Sequence, residues 1–299
     1  MTICPVDSPA LPVGNYRLSS WGLIQVSGAD AVAFLHAQLS NDLSGLPVGR
    51  AQWTAYCSPK GRMLAGFLAW KQRPDLVCLA CDRELVAALV KRMRMFVLRA
   101  KVVVTDVSSD WALAGAIGRA GQPAPMEVVE DGGSTLVGLT AVAGQTRCLV
   151  VAAAGSGAGD DWVWQLAQIR AGEVWITPAT SEQFVPQMAN FDAIGGINFK
   201  KGCYPGQEVV ARTHYRGAVK RRMYRARVGA PAVAGVPLFA AQAQECGTVA
   251  NAVTDDTGRS ELLAVISSDS RDSAPVRLGA PEGPPLEFID LPYMSSPSA

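Results

Sequence analysis

Apolar positions recur along this chain with two different periods, and the switches between them mark out its elements. Residues 21–26 alternate as a strand, and Ser27-Gly28-Ala29-Asp30 turns them into a helix that carries Ala31, Phe34, Leu35 and Leu39 on one face, closed by Asn41-Asp42. Residues 51–57 and 63–70 read as two strands of a hairpin about the turn Ser58-Pro59-Lys60-Gly61-Arg62. A strand at 76–80 precedes a helix at 83–96, whose Leu85, Leu89 and Met93 form a core-facing stripe, and a further strand covers 101–105. A second unit opens near Asp106. It predicts strands at 134–139 and 147–153 and a helix at 160–170 that carries Trp162 and Trp164.

Beyond Arg227 the period shortens. Apolar runs at 237–239, 247–253 and 262–266 are separated by Gly, Pro and Asp-rich turns, which predicts a small all-β barrel or sandwich. Residues 1–14 carry three prolines and no period, so they read as an irregular lead-in. The Gly155-Ser156-Gly157-Ala158-Gly159 run is a connector. It lacks the closing Gly-Lys-Ser/Thr and the strand-to-helix framing that a phosphate loop needs.

Composition narrows the functional class. At 299 residues the chain is long enough for two or three domains, and its net charge of +1 argues against a surface built throughout for nucleic acid. The charge is unevenly placed, however: residues 200–227 hold nine Lys or Arg against the single acid Glu208, and Lys91, Arg92, Arg94, Arg99 and Lys101 make a second basic strip. Strips so one-sided suit an anion. Seven cysteines, an odd number with no secretory leader visible, predict a reducing cytoplasmic setting instead of a disulfide framework. Cys78 and Cys81 have metal-site spacing but lie in an apolar strand, and with only His36 and His214 available a closed zinc site is not expected. The apolar run at 149–154 is too short to span a bilayer.

The candidate chemistry lies in residues 200–212, where Cys203 stands between Gly202 and Gly206 and beside Lys200 and Lys201. The glycines and Pro205 predict a tight turn, the lysines favour a thiolate, and Gln207 and Glu208 follow with an amide and a carboxylate. A plainer account makes this a glycine-rich turn ahead of a strand, Val209-Val210-Ala211, with Cys203 as small buried filler.

Lys201-Gly202-Cys203-Tyr204-Pro205-Gly206-Gln207-Glu208 resembles the Lys-Gly-Cys-[Tyr/Phe]-x-Gly-Gln-Glu signature of the folate-binding YgfZ family, relatives of the glycine cleavage T-protein. Ser27-Gly28-Ala29-Asp30, Gln38-Leu39-Ser40-Asn41-Asp42, Lys60-Gly61-Arg62, Phe184-Val185-Pro186-Gln187 and Gly217-Ala218-Val219-Lys220-Arg221 also follow the family's order, so the resemblance spans nearly the whole chain. It implies an α+β, T-protein-like (GcvT-like) fold: a first module at 15–105, a second interleaved with it at 106–215, together forming a ring, and a C-terminal β-barrel at 220–299. It implies tetrahydrofolate in the ring's centre and a role in assembling or repairing iron–sulfur enzymes, including those that thiolate tRNA. The residues it places near folate are Trp21, Trp164, Asn41, Asp42, Arg62, Tyr204 and Gln207, with the pterin stacked on indole and the basic strips meeting the glutamate tail.

The resemblance makes Cys203 the key residue, with Lys201, Glu208 and Arg212 supporting it by lowering the thiol pKa, orienting the turn or moving a proton, and pairing with Glu208 or an anion. One cysteine cannot hold a cluster alone, so Cys203 either shares a transient iron–sulfur cluster with a client or assembly protein or takes a covalent adduct. No permanent metal, stable nucleic-acid binding or membrane association is expected. The alternative is a folate-dependent aminomethyl or methyl transferase, for which Asp42 and Asp192 are the available carboxylates although no acidic transferase motif is evident.

Overall fold

The structure is a computed structural model that describes residues 9–153, 161–216, 219–240, 243–273 and 275–293. The connector at 155–159, the first eight residues of the lead-in and Gly217-Ala218 of the family-like run lie outside the described residues.

The chain begins with β1 (Gly14–Arg17) and β2 (Trp21–Ser27), then α1 (Ala31–His36), the hairpin β3 (Ala51–Cys57) and β4 (Met63–Arg73), and β5 (Leu76–Asp82). A single 3-10 turn, Arg83–Leu85, leads into α2 (Val86–Met95), and β6 (Val103–Asp106) follows. Strands β2 to β6 make one antiparallel sheet in the order β3-β4-β5-β2-β6. One face packs on α1 and α2 through Ile24, Val26, Phe67, Leu79 and Met93; the other carries Trp21, Leu23, Trp53 and Trp70 toward the middle of the molecule. Period-2 alternation places adjacent residues of each strand in these two different cores.

A second sheet comprises β7 (Trp111–Ile117), β8 (Val128–Asp131), β9 (Ser134–Val142) and β10 (Gln145–Ala153), joined by β1 in the order β1-β7-β10-β9-β8. Because β1 precedes β2 in sequence yet pairs with β7, the two sheets share the N-terminal chain. Helix α3 (Trp162–Ala171) is apolar nearly all round and buried, as such a helix must be. It ends at Gly172, whose φ of 70° supplies the left-handed C-cap.

From there the chain crosses back to the first sheet. Met63 donates its N–H to Phe184 O at 2.8 Å and Glu182 donates to Met63 O at 2.7 Å, so the segment leading to Cys203 is laid on the β3–β4 hairpin. The Val209-Val210-Ala211 stretch expected as a strand is instead part of α4 (Gln207–Arg216). Two adjacent valines have high β propensity, but only Val210 is buried while Val209 is partly exposed, a one-sided pattern that a helix satisfies. Tertiary anchoring decides it: Gln187 Nε2 donates to Val210 O at 2.6 Å.

The remaining strands are β11 (Arg221–Val228), β12 (Pro237–Phe239), β13 (Glu245–Thr254), β14 (Ser260–Ser267), β15 (Arg277–Leu278) and β16 (Glu287–Ile289), with α5 (Ser268–Ser273) after β14. They form the sheet β15-β12-β13-β14-β11-β16. Hydrogen bonds from Leu278 N to Pro284 O (3.0 Å) and Leu286 N to Val276 O (2.8 Å) join its two ends, closing the barrel that the C-terminal pattern predicts. Glu261 of β14 binds the barrel to α3, accepting from Arg170 Nε at 3.2 Å, Arg225 Nε at 2.9 Å and Arg227 Nε at 3.4 Å. Among the described residues no helix is long and apolar enough to cross a membrane.

Candidate functional site

Two loops of the first sheet cradle the cysteine turn. In one, Ser40 Oγ donates to Gly196 O at 2.7 Å, Asn41 Nδ2 donates to Gly195 O at 2.7 Å and to Trp53 O at 2.8 Å, and Ser40 O accepts from Asn198 N at 3.0 Å. In the other, the β3–β4 turn fits against Gly206, whose φ is +81° and where a Cβ would come within 2.5 Å of Ser58 O. Gly206 therefore uses the freedom that only glycine has, whereas Gly202 adopts no positive φ.

Lys201 joins the turn to α1. Its ammonium donates to His36 O and, at 2.7 Å, to Leu39 O, and lies 4.8 Å from the centre of the Tyr204 ring. A helix C-terminus leaves carbonyls without partners, and a cation is the favoured group there. The cap also accounts for α1 stopping at His36, short of Leu39: Leu39 turns away to bridge Tyr56 and stays buried. Burial pushes the Lys201 ammonium down to about 8, against the pull of nearby Asp42 and Cys203. Tyr204 is buried beneath it, and that burial raises its phenol.

Cys203 is exposed at the crest of this turn, whereas the other described cysteines, Cys57, Cys78, Cys81, Cys148 and Cys246, are buried. Burial pushes the Cys57 and Cys78 thiols up to about 12, which makes them inert. Among the described residues no group of three His, Cys, Asp or Glu is arranged to hold a metal.

The other expected site residues are distributed around this centre. Gln207 opens α4 and its Nε2 donates to Lys201 O at 3.4 Å. Glu208 and Arg212 are exposed one turn apart on α4, with no ion pair between them among the described residues. Arg62 Nη1 donates to Gln183 O. Asp42 accepts from Gly45 N at 2.9 Å and lies 3.0 Å from His36 Nδ1; the Gly45 N–H and then His36 hold its carboxyl below the usual range. Arg222 and Arg225 of the basic strip are committed to Asp192 (2.7 Å) and Glu261.

Trp21 and Trp164 are both buried, meeting edge to face at 6.2 Å. Five of the seven tryptophans lie in one core where the two sheets, α3 and the barrel meet, so an indole here is chiefly packing. Trp21 nevertheless borders a cavity of about 200 Å³ between the ends of β2 and β5, α3 and β13, and its partner there is Trp175, stacked at 3.9 Å and 20°. Trp164 does not line it. Gln168, Glu173 and Asp82 do, and burial pushes the Asp82 carboxyl up to about 6. Nothing in the sequence singles out Trp175 or Asp82. A polar Gln168 among the apolar residues of the last turns of α3, Ala167, Ile169 and Ala171, is a signal that could have been used.

The two interlocked sheets with an appended barrel define the class: the fold is that of the glycine cleavage aminomethyltransferases. Residues 12–122 match the GCVT N-terminal domain model. The crystal structure of glycine cleavage system aminomethyltransferase T from Bartonella henselae superposes with a TM-score of 0.74 at 14% identity, covering 94% of this chain and 86% of that one. The chain is also 32% identical to an uncharacterized protein of Haemophilus influenzae, over 92% of this chain and 96% of the relative. It is 30% identical to the tRNA-modifying protein YgfZ of Yersinia pestis (strain Pestoides F), over 97% of this chain and 95% of that one. It belongs to the YgfZ family.

Proposed function

We propose that this protein is a tetrahydrofolate-binding factor that supports the assembly or repair of iron–sulfur enzymes, those that thiolate tRNA among them, with Cys203 as its working residue. The observation that carries the proposal is the contrast, among the described cysteines, between one solvent-reachable thiol, on a turn anchored at both ends, and five buried ones. A filler cysteine would be buried like the rest; a thiol held outward on a rigid turn suits contact with a partner's iron or sulfur. The name of the Yersinia relative supports the link to tRNA modification.

The residues present fit the flat end of a folate. A cavity of about 200 Å³ is smaller than the roughly 300–1,000 Å³ of sites that hold whole drug-sized ligands, so it suits a bicyclic ring whose tail extends outward. Trp21 and Trp175, stacked on each other, form part of its wall together with the polar residues Asp82, Gln168 and Glu173. Bound there, tetrahydrofolate would supply the one-carbon chemistry of N5 and N10. Trp21 and Trp175 would orient the ring and exclude water, while Lys201 and Gly206 hold Cys203 outward.

The transferase alternative is less well supported. The carboxylates expected for it, Asp42 and Asp192, are engaged, by His36 and by Arg222, and neither lines the cavity, so only Asp82 or Glu173 there could take that role. Direct RNA binding is similarly disfavoured by the ion pairs of Arg222 and Arg225.

Calorimetric titration with 5-formyltetrahydrofolate tests the ligand, and absence of binding would reject it. In cells lacking the native gene, Cys203→Ala should fail to restore iron–sulfur enzyme activity while the purified variant keeps the wild-type unfolding midpoint. Full restoration would remove Cys203 from its role.

A further inference from the structure

Helix α4 begins four residues after Cys203 and buries Val210, whose carbonyl is held by Gln187, which leaves its opposite side in solvent. That side is not the uniformly polar surface of a solvated helix face. Tyr215 is 68% exposed and Val209 39%, and Val209 lies on the hairpin turn, 2.8 Å from where a Cβ on Gly61 would stand. Arg212, exposed, is one turn beyond Val209 and one turn before Tyr215, so the three form a row.

The chain on both sides of Cys203 is pinned to this face. Phe199, partly buried on the central core, stacks on His214 at 3.8 Å and 12°, and Tyr215 meets His214 edge to face at 4.8 Å. The thiol therefore sits in a loop whose ends are joined through Phe199 and α4. Around it, Lys60 of the hairpin turn, Lys200 and Arg212 are exposed and in no ion pair among the described residues, against the single acid of α4, Glu208. Apolar and aromatic side chains within a charged rim are the anatomy of a protein–protein interface, where Tyr and Arg are favoured anchors. The sign of the rim selects the partner: thiolates and sulfides make an iron–sulfur site anionic, so cations about an exposed thiol complement an acidic protein that presents one. A nucleic acid fits less well. Phe199 and His214 cover each other's faces, which leaves Tyr215 to stack a base, and Glu208 opposes a phosphate backbone.

We infer that Val209, Arg212 and Tyr215 of α4, with Lys60 and Lys200, form the docking surface for an acidic protein that carries or receives an iron–sulfur cluster, and that docking seats the partner's cluster site against Cys203. The inference rests on the reading of Cys203 above and deepens it by naming the surface and the charge of the partner.

The experiment titrates the full-length protein with an acidic plant-type [2Fe–2S] ferredoxin as the probe, and separately with unmodified tRNA. Tyr215→Ser removes the aromatic anchor, and the double change Lys60→Glu with Lys200→Glu reverses the rim. All three positions are exposed, and unfolding midpoints confirm that both variants fold. The same variants and Cys203→Ala are expressed in cells lacking the native gene, where iron–sulfur enzyme activity is read.

Wild type should bind the ferredoxin, less tightly at high salt. Tyr215→Ser should weaken that binding by about tenfold or more, as loss of an aromatic anchor does, the charge reversal should abolish it, and both variants should fall short of wild type in cells. If Cys203→Ala fails in cells while both surface variants restore full activity, the partner docks elsewhere and the inference falls with the Cys203 reading intact. If Cys203→Ala restores full activity, that reading falls and this one with it. If wild type binds no ferredoxin, the acidic partner is rejected. Wild type that binds tRNA and loses it in both variants has RNA as the occupant, which overturns the inference.

Discussion

At the scale of single residues, environment outweighs identity. Lys201 and Lys200 are neighbours in a basic run, yet Lys201 is buried against two carbonyls and Lys200 is exposed. Removing that ammonium leaves His36 O and Leu39 O without their donor, so Lys201→Met should cost about 1–3 kcal/mol, measured by urea unfolding at pH 7.

Asp82 makes a pH prediction. Its carboxyl is held up to about 6 against 3.8 when exposed, so between those values the folded protein binds the proton more tightly than the unfolded chain. Its contribution is therefore full below pH 3.8 and is lost as pH rises through 6. Asp82→Asn keeps a side-chain acceptor for Glu84 N, which Asp82 Oδ1 accepts at 3.0 Å, and removes the titration. The variant should gain about 1 kcal/mol on wild type between pH 4 and pH 7, after allowance for solvent screening. Parallel stability curves would contradict the shift.

At the scale of elements, the strands of the first sheet, β9 and β10 of the second, and helices α1 to α3 were legible because each buries a face with its own period, whereas β1, β7 and β8 were not read from the sequence. The hairpin at 51–57 and 63–70, the helix at 83–96 and the barrel strands correspond to β3, β4, the 3-10 turn with α2, and β12 to β14. Helix α4 was not legible. Its two valines follow local propensity toward a strand, and what makes it helical is a buried side of the hairpin turn that no local window contains. Gly206 is where that dependence concentrates. Gly206→Ala adds a Cβ within 2.6 Å of Gly61 Cα at a positive φ, so the turn and α4 should lift from the hairpin at a cost of about 1–3 kcal/mol. Hydrogen exchange should show lost protection in α4 with little change in β13 and β14.

At the scale of the whole molecule, three arginines from α3 and β11 converge on one carboxylate, Glu261. A buried pair adds little by itself, but stranding its partners is costly. Glu261→Gln should destabilise by about 3–5 kcal/mol and be read as a lowered thermal midpoint, with the barrel losing hydrogen-exchange protection first. An unchanged midpoint would mean the cluster is well solvated.

The amino-acid sequence by itself determined most of the elements, an all-β C-terminal unit and the place of the cysteine turn, because periodicity, turn chemistry and a glycine-framed motif are all local in the chain. Tertiary structure alone decided which tryptophan stacks on Trp21, which lysine caps α1, which of the basic residues remain available to an anion, and which polar side chains face a cavity. Those outcomes depend on residues brought together across more than a hundred positions, as Lys201 is to His36 and Leu39, and burial and charge compensation act on distance in space.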